Sequence, residues 1–216
     1  MQAERGKIED PLGHAAARLA AKGLLKPRDV LSQRIPEQNA FVSVSVVDGQ
    51  DVANSFRWTS FAGRPRDLHH RIYAVRPDVG AIVSGGLTWT SALARLGTSL
   101  PAVFDVEEAL LGLEVPYAAR PSADGRALGA LSNGANAYCL EDVALCFGMG
   151  LERLLLNIEI LEKCAESFVL AQSAAGRVRR IPWLVRFVAG SRLRKDQKDA
   201  AARHLRGERS IMKAGY

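Results

Sequence analysis

The sequence predicts a layered α/β or α+β domain in which helices cover a central sheet. Segments of strand type and segments of helical period are mixed along most of the chain, and this order is typical of such layers. The 216 residues include 48% hydrophobic and 24% charged side chains, close to the usage of ordinary globular proteins. This composition provides a sizeable core and excludes a disordered, collagen-like or coiled-coil protein.

In the first half of the chain, turn signals separate the predicted elements. The dipeptide Asp48-Gly49 follows an alternating apolar and polar stretch and is typical of a hairpin between two antiparallel strands. Arg76-Pro77-Asp78 ends a helix, because the residue before a proline is displaced from helical geometry. The predicted elements are a helix over 14–25, strands over 41–47 and about 53–58, a helix over 67–75, a buried strand over 79–83 and a helix over 90–96.

The second half of the chain is predicted to contain a further strand pair and the longest helix. Two apolar runs flank Glu141-Asp142, which indicates two strands joined by a tight acidic turn. After Gly150, apolar residues recur every three or four positions as far as about Gly176, the pattern of a helix packed along its length. The other predicted elements are helices over 105–111 and 122–131 and strands over 113–117, 135–140 and 143–147.

The positive charge of the chain is concentrated in its last part. Residues 177–216 hold twelve Lys and Arg against three Asp and Glu, whereas the net charge of the whole chain is +6. We therefore divide the chain into a domain over 1–176 and a basic helical extension over 177–216. Such an extension either packs on a neighbouring subunit or contacts nucleic acid or an anionic membrane. Its only aromatic residues are Trp183, Phe187 and Tyr216, so nucleic acid is not an expected partner.

The expected location is the cytoplasm. No apolar run approaches the roughly 18 residues that span a bilayer, and the first residues lack the basic and apolar regions of a signal peptide. Cys139, Cys146 and Cys164 form neither a CxxC pair nor a metal-like cluster. Because an odd number of thiols fits a reducing compartment, we expect no disulfide. From the lengths of the apolar runs we expect no transmembrane segment.

A series of short motifs follows in a fixed order between about residues 10 and 175. These motifs are Ser32-Gln33-Arg34-Ile35-Pro36, Leu68-His69, Ile72-Tyr73, Arg76-Pro77-Asp78-Val79, Ala81-Ile82-Val83, Ser91-Ala92-Leu93, Leu96-Gly97, Leu100-Pro101, Glu107-Glu108-Ala109, Val115-Pro116-Tyr117, Gly148, Leu151-Glu152 and Glu162-Lys163-Cys164-Ala165-Glu166. In this order and spacing they resemble the class II aldolase/adducin superfamily. The resemblance implies a three-layer α/β/α domain with a central, mostly antiparallel sheet. It also implies homotetramers with clefts between subunits.

The resemblance further implies where a metal centre would lie. Members that cleave or epimerise sugars bind a divalent metal, usually zinc, through a His-x-His pair after the buried strand and a third histidine from a later hairpin. In this sequence the pair falls on Ser84-Gly85-Gly86, the third histidine on Asp142 or Glu141, and the acid that handles protons on Pro65. Zinc needs imidazole, thiolate or carboxylate ligands in a tetrahedral frame. We therefore predict no metal ligands, no cofactor and no metal-dependent aldol cleavage.

The remaining polar residues around this cleft suggest other roles. His70 is the candidate general base, because histidine titrates near neutrality, whereas His69 matches a family histidine that does not bind metal and is interpreted as helix packing. Glu141 and Asp142 either form a turn or act as an acid and base pair. The backbone N–H groups of Ser84–Gly86 could bind a phosphate or carboxylate.

Three functions follow from these observations. The leading hypothesis is a pseudoenzyme of aldolase type that binds a small anionic ligand or a partner subunit as a homo-oligomer. The first alternative is a metal-independent lyase, isomerase or cyclase that uses His70, Glu141 or Asp142 as proton carriers. The second alternative places the function in the basic extension, in contact with nucleic acid or an anionic membrane.

Overall fold

The structure is a computed structural model that describes residues 2–46, 56–118, 129, 131–141, 143–174, 178 and 181–211. Within the helices, the side chains of residues 2–4 and 183–187 are outside this description. The predicted turn at Asp48-Gly49, the site residue Asp142, most of the predicted helix 122–131 and the domain boundary at residue 176 also lie outside the described residues.

A six-stranded sheet with antiparallel neighbours forms the centre of the described structure, in the order β3-β2-β1-β4-β8-β7. Its strands are β1 (Val30–Ile35), β2 (Ala40–Ser45), β3 (Arg57–Ser60), β4 (Ala81–Gly85), β7 (Ala137–Cys139) and β8 (Ala144–Gly148). A separate antiparallel pair is formed by β5 (Leu100–Pro101) and β6 (Glu114–Val115). The strand β4, which leads to the predicted site, therefore lies inside the sheet between β1 and β8.

Helices pack around this sheet. They are α1 (Gln2–Ala21), α2 (Leu68–Val75), α3 (Thr88–Arg95), α4 (Asp105–Leu111), α5 (Leu151–Ser173) and α6 (Trp183–Leu205). None of these described helices combines the length and the apolar character needed to cross a membrane.

Two buried clusters on opposite faces of the sheet make the domain three-layered. Successive side chains of a strand point to opposite faces, so Ala81 and Val83 of β4 enter one cluster and Ile82 enters the other. The larger cluster contains the apolar faces of α1, α3, α4 and α5, and the smaller one contains Ile72 and Tyr73 of α2. The predicted layered domain with an antiparallel central sheet is confirmed.

Three elements differ from the prediction: the first helix, the strand β1 and the two-residue strand β5, which was not predicted. The first helix begins at Gln2 rather than at residue 14 and runs through Pro11, because Ile8 and Leu12 are buried on the same face as its later apolar residues. The strand β1 was not predicted, because Ser32, Gln33 and Arg34 interrupt its apolar pattern. For the first helix and for β1, tertiary packing rather than the local sequence pattern determines the secondary structure.

The basic C-terminal helix packs on the body of its own chain. Leu193 and Ala200 of α6 form a small buried cluster with Met149. The Gln197 side chain donates hydrogen bonds to the Gly134 carbonyl oxygen at 2.7 Å and to Asn136 Oδ1 at 3.0 Å. The sequence suggested a neighbouring subunit for this contact, whereas the buried face of α6 is covered within the same chain.

A buried arginine links the turn before β4 to the strand β7. The Arg76 guanidinium donates two 2.8 Å hydrogen bonds to the Asp78 carboxylate. It also donates to the carbonyl oxygens of Leu131 and Ala135, each at 2.8 Å, and to Asn136 Oδ1 at 3.3 Å. Because Arg76 is only 3% exposed, these hydrogen bonds are made inside the protein and satisfy a buried cation.

We expect Arg76→Met to lower the free energy of unfolding by about 3–5 kcal/mol, because it leaves the buried Asp78 carboxylate without its cation. Urea unfolding followed by circular dichroism measures this change. The matched control is Arg95→Met, which removes an exposed arginine at the end of α3 and should change the free energy by less than about 0.5 kcal/mol. Equal effects of the two substitutions would contradict the assigned role of Arg76.

Candidate functional site

The predicted site lies where β4 ends, in the interior of the sheet. Ser84 pairs with Val30 of β1 on one side and with Leu145 of β8 on the other, and Gly86 follows the last strand residue. Ser84 is half-buried. The position of Ser84–Gly86 is therefore fixed by strands on both sides rather than by a free loop.

A chain of hydrogen bonds connects helix α2 to this strand end. His69 Nδ1 lies 2.7 Å from Ser32 Oγ, and His69 Nε2 lies 2.8 Å from Ser84 Oγ. Ser32 Oγ also lies 2.9 Å from Tyr73 Oη. Ser32, His69 and Tyr73 are buried. The imidazole thus bridges two hydroxyl groups, and a third hydroxyl extends the chain into the core.

The His69 ring is neutral at physiological pH. Burial lowers its pKa to about 4, against a smaller opposing effect of the Asp67 carboxylate. A neutral imidazole has one N–H group and one lone pair. It therefore donates to one of the two serines and accepts from the other, and both ring nitrogens are used within the chain.

The backbone of the two glycines is held by a lysine and an aspartate from the turn before β1. The Asp29 carboxylate accepts from the N–H groups of Gly86 at 3.1 Å and Lys26 at 2.8 Å. Lys26 Nζ donates to the Gly86 carbonyl oxygen at 2.7 Å and to Thr88 Oγ1 at 3.1 Å. A Cβ atom on Gly85 would overlap the Asp29 carboxylate, so this position requires glycine.

Helix α3 follows this segment, and a carboxylate of the same chain lies at its N-terminus. The Glu162 carboxylate of α5 accepts from the backbone N–H groups of Trp89 at 3.0 Å and Thr90 at 2.8 Å, and from Thr90 Oγ1 at 2.7 Å. Carboxylates satisfy and electrostatically stabilise the first turn of a helix. The N–H groups of Gly86, Trp89 and Thr90 near this end of β4 are therefore bonded to Asp29 and Glu162.

The residues at the implied metal positions do not fit a zinc ion. Ser84 offers a hydroxyl that is already bonded to His69, and Gly85 and Gly86 have no side-chain donor. Within the part of the chain that the structure describes, no three His, Cys, Asp or Glu side chains are grouped closely enough to hold a metal ion. Ser84, Gly85 and Gly86 therefore provide none of the imidazole, thiolate or carboxylate groups that zinc requires.

Among the described residues, His70 and Glu141 take no part in this hydrogen-bond chain. His70 is buried, with its ring centroid 5.7 Å from that of Phe41 and 5.6 Å from that of Phe61. Its backbone N–H donates to Asp67 Oδ1, which caps helix α2. Glu141 is exposed after β7, and Asp142 lies outside the described residues. The acid and base roles proposed for these three residues stay predictions, as does anion binding by Ser84–Gly86.

Sequence reasoning assigned the packing role to His69, although the structure brings this histidine to Ser84. A spacing signal was present. His69 and Tyr73 are four residues apart and share one face of α2, and Ser32 lies on β1 beside the strand that carries Ser84. Lys26 and Asp29 had no such signal, because nothing local connects them to residues near position 86.

A cavity of about 620 Å³ lies at the opposite end of β4. Gly80, just before the strand, and Gly150, just before α5, form part of its wall. The rest of the wall includes residues of β1, the first turn of α5, the second half of α6 and the residues after α6. The described cavity is thus separated from Ser84–Gly86 by the length of the strand.

Most of this chain matches a known protein family. The model of the family described as "Class II Aldolase and Adducin N-terminal domain" matches residues 2–169. No curated protein sequence matches this chain.

Solved structures agree with the fold. An L-fuculose 1-phosphate aldolase shares 20% identity and a TM-score of 0.73, and the match covers 87% of this chain and 96% of that one. The L-fuculose 1-phosphate aldolase from Glaciozyma antarctica PI12 shares 19% identity with a TM-score of 0.70, covering 98% and 94% of the two chains. The L-fuculose-1-phosphate aldolase from Thermus thermophilus shares 18% identity with a TM-score of 0.65, covering 82% and 100%.

We expect His69 to make the folded protein less stable in acid. Its ring stays neutral in the folded state down to about pH 4, whereas the unfolded chain binds the proton below about pH 6.5. The stability that depends on the neutral ring is fully present above pH 6.5 and is lost as the pH falls towards 4. Between pH 7.5 and pH 5, wild type should lose about 2 kcal/mol more unfolding free energy than His69→Gln.

Urea unfolding of both proteins at the two pH values measures this difference. Glu107, whose pKa is raised to about 7 mainly by burial, titrates in both proteins, so its effect cancels in the comparison. Identical pH dependence in wild type and His69→Gln would show that His69 is not buried in the neutral form.

Proposed function

This chain belongs to the class II aldolase and adducin N-terminal domain family, and from that premise we propose that it is a metal-independent member that binds a small anionic ligand. On this proposal the inherited site at the end of β4 performs no metal-dependent aldol cleavage. The free and buried thiols of Cys139, Cys146 and Cys164 support a cytoplasmic location, because a reducing compartment keeps such groups as thiols.

One observation carries the proposal: the polar groups at the inherited site are bonded to one another. The Ser84 hydroxyl is bonded to His69, the Gly86 N–H to Asp29 and the Gly86 carbonyl oxygen to Lys26. A Lewis acid at this place would need side-chain donors that the two glycines lack. The buried imidazole of His69 would have to leave both serines to become a ligand.

The anionic character of the ligand has two supports. The described cavity includes the arginines Arg34, Arg153, Arg203, Arg206 and Arg209 in its wall, against the carboxylates Glu152, Asp196 and Asp199. The solved relatives named L-fuculose 1-phosphate aldolases are named for a phosphorylated sugar. A small phosphorylated molecule is therefore the ligand class that we propose.

A second candidate is a metal-independent enzyme, and one contact favours it. His69 Nε2 lies 2.8 Å from Ser84 Oγ, which is the geometry of a general base beside a hydroxyl group. With its proton on Nδ1 and donated to Ser32, the ring would accept the Ser84 proton at Nε2. His69 would then take the proton-carrying role that the sequence suggested for His70.

We expect the purified protein to contain far less than one zinc ion per chain after expression in zinc-supplemented medium. Elemental analysis by mass spectrometry measures this content. The matched test is Ser84→Ala, which should leave the zinc content unchanged, because Ser84 is not a ligand in the proposal. One zinc ion per chain in wild type that disappears in Ser84→Ala would contradict the proposed function.

The enzyme candidate makes a different prediction. Turnover of a phosphorylated hydroxycarbonyl compound should persist in EDTA and should fall at least tenfold in both His69→Gln and Ser84→Ala, since both remove the same proton path. Turnover that is absent from wild type, together with anion binding that calorimetry detects, supports the binding function over the enzyme.

The proposal includes assembly into a homo-oligomer, with a tetramer as the expected form. Leu96, Phe104, Leu113 and Tyr117 are large apolar side chains exposed within one stretch of 22 residues. Clustered apolar exposure of this kind is typical of protein contacts. Light scattering should give about four times the 23.4 kDa of one chain, and Leu113→Glu should lower that mass. A monomer at micromolar concentration would contradict this part of the proposal.

A further inference from the structure

The cavity beside Gly80 differs from the inherited site because several polar groups in its wall have no partner in the described chain. It holds about 620 Å³ and lies between the N-terminus of α5, the strand β1 and the last turn of α6. The volume is in the range of small-molecule sites. The groups in the wall decide which molecule fits.

The first unpartnered donors belong to helix α5. Gly150 precedes this helix in extended conformation and provides no side-chain cap. The N–H groups of residues 151–153 precede the first intrahelical hydrogen bond, which Leu154 N donates to Gly150 O. A 23-residue helix also presents the positive end of its dipole here. At α3, by contrast, the Glu162 carboxylate satisfies the equivalent groups.

Two cations reinforce these donors. Among the described residues, Arg153 in the first turn of α5 has no hydrogen-bond or ion-pair partner, although it lines the cavity. Arg34 donates only to the carbonyl oxygens of Val79, Tyr73 and Arg76, so within the described chain no carboxylate lies in hydrogen-bond contact with its charge. Arg34 and Arg153 thus add positive charge to a wall that already contains free N–H donors.

An acceptor with no partner belongs to His204, which lines the same cavity. His204 is only 8% exposed, and its Nδ1 lies 2.7 Å from the Pro77 carbonyl oxygen. Because a carbonyl oxygen only accepts, Nδ1 carries the proton and Nε2 is left as a lone pair with no partner in the described residues. Such an acceptor takes its donor from a ligand or from water. Gln33 Oε1, beside the cavity, is buried without a hydrogen-bond donor among the described residues.

The charge of His204 agrees with this arrangement. Burial lowers the pKa of His204, and the nearby Arg34 and Arg203 cations act in the same direction, against the Pro77 carbonyl and Asp78. The ring is therefore neutral near pH 7 and accepts at Nε2 rather than donating there. An anion alone would leave Nε2 unsatisfied.

We propose that this cavity is a binding site for a small oxyanion that also carries hydroxyl groups, of the class of a polyol phosphate. The oxyanion accepts from the N-terminus of α5 and from Arg153, and a hydroxyl group of the ligand donates to His204 Nε2. The inference rests on the proposed anion-binding function and adds to it a place in the fold, away from the inherited site, and a ligand chemistry.

The experiment uses titration calorimetry of the full chain with glycerol 3-phosphate, which has both an oxyanion and hydroxyl groups, and with sulfate, which has only the oxyanion. We expect Arg153→Met to weaken the binding of both probes at least tenfold, because both use the charged contact. We expect His204→Asn to lower the affinity for glycerol 3-phosphate at least fivefold and the affinity for sulfate less than twofold. Asparagine can still donate to the Pro77 carbonyl, but it has no atom at the place of Nε2.

Two control variants separate this inference from the proposed function. Arg95→Met removes an exposed arginine elsewhere and should leave both affinities unchanged. Ser84→Ala reports whether a probe binds at the inherited site instead. Glycerol 3-phosphate binding that is lost in Ser84→Ala and unchanged in Arg153→Met would overturn the inference and leave the binding function standing. No binding of either probe by wild type would contradict both. Thermal unfolding of each variant confirms that it is folded.

Discussion

The contact between His69 Nε2 and Ser84 Oγ decides what the end of β4 can do. A buried neutral imidazole has a single donor and a single acceptor, and here Ser32 and Ser84 use both. The contact therefore places a ring where a bound ion or substrate would otherwise approach the strand. It also joins α2 to β1 and β4, so it belongs to the packing of the domain as much as to its site.

The two ends of β4 differ in whether the hydrogen-bond donors there have acceptors within the chain. At the end marked by Gly86, each strong donor faces an acceptor of the same chain, as in the contacts of Asp29 and Lys26. At the end marked by Gly80, the N-terminus of α5 and Arg153 have no such acceptor among the described residues. Donors without an acceptor in the chain are available to a ligand. Polar groups are thus available at the Gly80 end of the strand, whereas those shown at the Gly86 end are bonded within the chain.

Much of the fold could be predicted from the sequence, because α5, α2 and the strands β4 and β8 have clear periodicity and turn signals. The assignment of Ser84 and Gly86 to the metal positions of the family stays a prediction, which rests on the motif around Arg76. The hydrogen-bond partners of Gly86 and His204 within the chain could not be predicted. Lys26 is separated from Gly86 by 60 positions and His204 from Pro77 by 127, and no local pattern encodes such contacts. The choice between His69 and His70 likewise depends on which side of α2 faces the sheet.

Helix α6 lies beyond residue 169, where the family match ends, yet it provides His204 and part of the wall beside Gly80. One wall of the cavity therefore comes from a part of the chain that the family model does not cover. Substitutions at the cavity-lining positions of α6, such as Arg203 and His204, can change which molecule is accepted while the strand residues stay the same.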